Sequence, residues 1–161
     1  MKKSIYLLIA ILVFLASLIC LVSCTVKMVQ FDQKCRVYIK QAADANTPEL
    51  ALERLNLAID YIEANNLTDG YTSIFIKTED ENVEFWYKNI IACQEELKSC
   101  LTSSQLEKTN VLINVRESLS HTPSGIEFHP HNGLWALGGL ISSILVIIGA
   151  LSFLIIRNLE Y

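Results

Sequence analysis

The chain has 161 residues, 52% of them hydrophobic, with 13 Lys and Arg against 17 Asp and Glu and a formal net charge of −4 at pH 7. So apolar a composition excludes a disordered chain, and an acidic balance that repels phosphate backbones argues against a nucleic-acid partner. Neither a repeat of solenoid length nor a low-complexity tract interrupts the sequence.

The first element is the apolar run from Ile5 to Val22, preceded by Lys2 and Lys3. It exceeds the roughly 7–15 residues of a signal-peptide core, so it predicts a retained transmembrane helix over 5–23 after a short cytoplasmic N-terminus, 1–4. Leu21-Val22-Ser23-Cys24 resembles the lipobox of bacterial lipoproteins. That resemblance implies cleavage and acylation at Cys24, a possible lipidation site that competes with the retained anchor.

Ala10, Phe14, Ser17, Leu21, Cys24, Met28, Phe31, Cys35, Tyr38, Ala42 and Ala45 step alternately by three and four residues. Such a seam is the signature of a helix with one packing face, of the kind found in coiled coils. It predicts one helix from about Ile5 to Ala45, on the order of 60 Å long, joining the first span to the domain that follows.

That domain, expected over 24–133, is the acidic part of the chain. Setting aside Lys2, Lys3, Arg157 and Glu160 leaves 10 basic and 16 acidic residues from Lys27 to Gly133, a formal charge of −6. Helices are expected at about 24–45, 48–65, 79–101 and 104–120. Thr47-Pro48 opens the second, with Thr as N-cap and Pro where its missing N–H is harmless. Leu52, Leu55, Ile59 and Ile62 then share a face. Thr78-Glu79-Asp80-Glu81 and Ser104-Gln105-Leu106-Glu107 read as capping boxes opening the third and fourth. Between the second and third helices, Ile74-Phe75-Ile76 is a short apolar stretch expected to be extended. Short connections favour antiparallel neighbours, so the expected fold is all-α: an up-down four-helix bundle flanked by two transmembrane helices.

The last element is Leu134 to Ile156, uncharged, with Trp135 at one end and Arg157 at the other. It is long enough for a second span over 134–156, followed by a short cytoplasmic tail, 157–161. Two spans put both termini on one side. Lys2, Lys3 and Arg157 argue that this side is cytoplasmic, and residues 117–133 carry no Lys or Arg, as suits an external flank. The expected location is a bacterial inner membrane, crossed twice, with 24–133 extracytoplasmic.

The chemistry-bearing residues are few. Cys35, Cys93 and Cys100 fit buried thiols better than zinc ligands, because no paired C-x-x-C spacing occurs. A Cys35–Cys93 disulfide is the alternative. His121, His129 and His131 fall close together, and an extended His129-Pro130-His131 would point both rings one way, with Glu127 nearby. They are the candidates for a metal or pH-sensing site. Phe85-Trp86-Tyr87 cannot all face one core, since helical neighbours lie about 100° apart. Trp86 is expected inside, leaving Phe85 and Tyr87 as candidate partner or headgroup contacts. Gly139-x-x-x-Ser143 and Gly138-x-x-x-Ser142 are small-x-x-x-small patterns that let membrane helices approach. Their nearest partner is the first span, through Ala10, Ser17 and Cys20; another copy or another protein is the alternative, with Gly139 and Ser143 as interaction residues. Asn66-Leu67-Thr68 matches a glycosylation sequon.

No Ser-His-Asp or Glu-x-x-His arrangement and no cofactor motif is present, so no enzyme is expected. The sequence points to a structural or protein-interaction component, a scaffold or accessory subunit, with membrane lipids and another envelope protein or itself as partners. A span, an external helical bundle and another span also resemble the input half of bacterial chemoreceptors. That architecture implies a ligand- or metal-sensing module. Only residues 157–161 follow the second run, so such a sensor would signal laterally through a partner.

Overall fold

A computed structural model describes residues 2–75 and 77–158, with side chains over 8–9, 11–75 and 77–149. Ile76, the end of the tail and the side chain of seam residue Ala10 lie outside the described residues. The structure is helical: α1 (Lys2–Phe31), α2 (Val37–Ala43), α3 (Pro48–Ala64), α4 (Val83–Cys100), α5 (Gln105–Ser118) and α6 (Asn132–Asn158). Among the described residues there is no strand, only an isolated antiparallel bridge between Tyr71 and Asn82. The chain divides into two compact units, Met1–Val26 with Gly133–Tyr161, and Lys27–Asn132.

In the domain unit, local signals set the helix boundaries. Thr47 caps α3 by accepting from the Leu50 amide at 3.3 Å, with Pro48 in the first turn. Ser104 caps α5 in the same way, accepting from the Glu107 amide at 3.4 Å. The expected start of the third helix is corrected. Thr78 precedes only a 3-10 turn, Glu79–Glu81, and its hydroxyl donates to the Glu81 carboxylate at 2.8 Å. The cap of α4 is Asn82, whose side chain accepts from the Phe85 amide at 3.0 Å. Asn82 was the better signal, because an Asn immediately before an apolar periodic run outranks Thr as a cap.

The helix leaving the first apolar run also differs from the expected seam. Between α1 and α2 the backbone winds as a π-helix over Asp32–Arg36. A wider turn accommodates one extra residue, so the buried seam runs Phe31, Cys35, Ile39, Ala42, Ala45. Ile39 replaces the expected Tyr38, which is half-buried. Arg36 pairs with Asp32 across the wide turn and stacks its guanidinium 5.3 Å from the centre of the Phe31 ring.

The π-turn and α2 pack on α3, α3 on α4, α4 on α5, and α5 closes back on α2. Leu55 and Ile62 of α3, Val83 and Leu97 of α4, Val115 of α5 and Ile126 of a 3-10 turn, Ile126–Phe128, are fully buried between them. Polar ties fix the seams. Gln94 donates to Asn56 at 2.7 Å between α4 and α3, and Lys108 reaches Glu49 at 3.3 Å between α5 and α3. Arg116 donates to the Ala43 carbonyl at 2.9 Å, satisfying an orphan acceptor at the end of α2.

In the other unit, burial is reversed. The half-buried positions of α1 include Val13, Ser17, Cys20 and Cys24, and those of α6 include Trp135, Gly138, Ser142 and Gly149. A Cβ added at Gly138 would stand 3.8 Å from the Cys20 sulfur, an ordinary contact distance, so Gly138 faces the first helix with no room for a side chain much larger than a methyl. The large apolar side chains, among them Leu12, Phe14, Ile19, Leu140 and Ile147, face outward. Both helices are long and apolar enough to cross a membrane.

Candidate functional site

At the start of α4, the three consecutive aromatics separate as their 100° spacing requires. Trp86 is buried, Phe85 is 58% exposed, and Tyr87 is half-buried. The Tyr87 hydroxyl donates to the Glu63 carboxylate at 2.7 Å. Partial burial, then that hydrogen bond and the Glu63 charge, hold its phenol above the usual value.

The segment before α4 folds back as a loop whose base is tied on both sides. The Thr72 amide donates to Glu81 O at 3.0 Å, and the Val83 amide to Gly70 O at 2.9 Å. Gly70 has φ +90, and a Cβ there would stand 3.0 Å from His129 Cε1. The positive φ favours glycine at this position, and an added side chain would press on the His129 ring. The loop is thereby held against the residues that lead into α6. Its tip is apolar: Phe75 is 93% exposed and its neighbour Ile74 is exposed too, while Tyr71 lies at the base, bridged to Asn82.

The three histidines do not converge. His121 sits 3.1 Å from the Asp80 carbonyl, His131 is exposed, and His129 is half-buried in a turn rather than an extended strand. No group of three or more His, Cys, Asp or Glu among the described residues is arranged to hold a metal. His129 and His131 instead line a polar cavity of about 210 Å³ with Glu127, Lys27, Tyr61 and Asn65. Nδ1 of His129 and Oε2 of Glu127 are buried without a hydrogen-bond partner. A cavity of this size admits a small polar molecule and no more. A larger, open groove of about 570 Å³ runs between α2 and the start of α3, lined by Lys40, Asp44, Leu50 and Arg54.

All five cysteines are free thiols, with Cys35, Cys93 and Cys100 buried. Burial pushes the Cys35 thiol up to about 12 and raises those of Cys93 and Cys100, the opposite of what a nucleophile needs. Cys24 lies within the helical run of α1, half-buried. On α6, Gly138 faces the first helix, whereas Gly139 has nothing near its missing side chain and Ser143 is exposed. The Ser143 hydroxyl turns inward on its own helix, donating to Gly139 O at 2.8 Å.

The apolar loop tip and the polar cavity were not singled out as sites in the sequence. The signal for the first was present, an apolar Ile74-Phe75-Ile76 with no helical period in an otherwise polar connection. The cavity had none, because its walls come from three separate stretches of chain. Comparison with known proteins adds nothing further: no family model, no curated protein and no solved structure matches this chain.

Proposed function

We propose that this chain is a two-pass membrane protein whose acidic helical domain docks another membrane or envelope protein, as a scaffold or accessory subunit. In this reading α1 and α6 cross a bacterial inner membrane and both termini are cytoplasmic. The extracytoplasmic domain is an up-down four-helix bundle, its first helix continuing the first span. The observation that carries the reading is the outward apolar surface of α1 and α6, with Leu12 58%, Ile19 67% and Leu140 62% exposed. A surface of that kind is stable against lipid tails and not against water. Docking is supported by Phe85, an exposed aromatic on a rigid helix, and by the unoccupied Gly139–Ser143 face of α6. In this role the domain offers surfaces rather than reactive groups. A photo-crosslinker at Tyr87, used in native membranes, should give a discrete higher-mass product that Phe85→Asp abolishes. Recovery of isolated monomer alone would sink the docking reading.

The polar cavity supports a second reading, a ligand sensor that signals laterally through a partner's membrane helices. Thermal stabilisation of the purified full chain by one member of a small-metabolite screen, lost on His129→Ala, would favour it over the scaffold.

A further inference from the structure

We infer that the loop carrying Tyr71, Ile74 and Phe75 is a third membrane contact, inserting its apolar tip into the headgroup region of the bilayer that α1 and α6 cross. This inference rests on the membrane reading above and adds to it a lipid-binding site on the domain itself.

Three observations carry it. The tip has the composition of an interfacial anchor. Phe75 is 93% exposed and Ile74 is exposed beside it, while at the base Tyr71, bridged to Asn82, is exposed with the Lys77 amine 5.1 Å over its ring. Aromatic and aliphatic groups at the tip with a cation at the base match the layered polarity of a membrane surface, where rings sit among headgroups and an amine reaches water or phosphate. The loop is also held rather than free, since its base is fixed by the hydrogen bonds of Thr72 and Val83 to Glu81 and Gly70. A held loop loses little conformational entropy on insertion.

Chain connectivity supplies the third observation and chooses lipid over another occupant. Gly70 packs on His129, and His129 is five residues before Leu134, where the apolar run of α6 begins. Five extended residues span at most about 17 Å, and the five from Gly70 to Phe75 have the same reach. Tethers this short allow the tip to reach the bilayer surface. Burial of the tip depends on apolar area, not on charge. Acidic Asp69, Glu79 and Asp80 nearby make a zwitterionic surface a better match than an anionic one.

The test uses the full chain reconstituted in phosphatidylcholine vesicles, with Phe75→Trp as the reporter. The parent, which already holds Trp86 and Trp135, supplies the background emission. Leu106→Trp is the aqueous control. Leu106 is 74% exposed and belongs to the first turn of α5, near Lys108, which pairs with Glu49 in the first turn of α3. The loop follows the other end of α3, about 25 Å away along a 17-residue helix. Phosphatidylcholine brominated near the headgroup end of one acyl chain should quench most of the emission added by Phe75→Trp and almost none of that added by Leu106→Trp. Aqueous acrylamide should do the reverse. If the chain floats with the vesicles but the Phe75→Trp emission is quenched by acrylamide and not by bromolipid, the loop does not insert and the membrane reading stands. If the chain does not float with the vesicles at all, both readings fall.

Discussion

Leu55, Ile62 and Leu97 are fully buried in Lys27–Asn132, whereas Leu12, Ile19 and Leu140 stand exposed on α1 and α6, where the smaller Ser17, Cys20 and Gly138 are half-buried and Gly138 faces Cys20. Each arrangement is the low-energy one in its own solvent. In water, burying large apolar side chains is the main stabilising term, and small residues add little. Among lipid tails that drive vanishes, so helices associate by close backbone approach, and large side chains are better turned outward. On the membrane reading proposed above, one chain satisfies two solvents by reversing which residue sizes point inward.

The largest effect expected from this comparison is on the domain core. Leu97→Ala should destabilise the domain by about 2–5 kcal/mol, read as a lower denaturant midpoint of the detergent-solubilised chain by circular dichroism. Leu140→Ala, the same truncation on the outward face of α6, should stay within about 0.5 kcal/mol. Equal losses at the two positions would break the contrast between the units.

Alkaline pH should open the domain before the helix pair, because burial pushes the Cys35 thiol from its ordinary value of 9.0 up to about 12. Below the lower value the thiol is neutral in both states and contributes no pH dependence. Above it the unfolded state loses its proton while the folded state keeps it, so stability falls as pH rises through that window. The loss is about 1.4 kcal/mol per pH unit. Cys35→Ala should make this slope shallower, measured as denaturant midpoint against pH, while the raised Cys93 and Cys100 thiols keep part of it.

On the membrane side, Gly138→Leu should overpack the contact with Cys20 and weaken the helix pair by about 1–3 kcal/mol. Detergent-dependent unfolding would report it. Gly139→Leu points into open space and should leave that unfolding unchanged. A lower oligomeric mass for the Gly139 variant would mark that face as the docking surface. The smallest effect belongs to the caps: Asn82→Ala should cost about 1 kcal/mol and Thr78→Ala nearly nothing, by the same denaturation assay.

Much of the helical content was legible in periodicity and caps, as Thr47, Pro48 and Ser104 illustrate. Where the reading slipped, a local rule had a close competitor. Thr78 and Asn82 both resemble caps four residues apart; Asn is the stronger cap, and the chain's path through Gly70 and Glu81 agrees with it. Tyr38 and Ile39 both continue the seam, and the π-turn at Asp32–Arg36 selects Ile39. The histidines looked like a cluster because they are near in sequence, yet His121 turns to Asp80 while His129 meets Gly70.

By itself the sequence determined the helical class, the two apolar helices and the split of Phe85, Trp86 and Tyr87 between core and surface. Those properties depend on composition and on spacings of three and four residues, which the backbone imposes locally. Only the tertiary structure decided that Gly138 faces the other helix while Gly139 does not, and that Phe75 stands at the tip of a loop held against His129. It also assembled the polar cavity from the ends of α1 and α3 and the turn before α6. Each of these depends on which distant segments meet, and no local period encodes that.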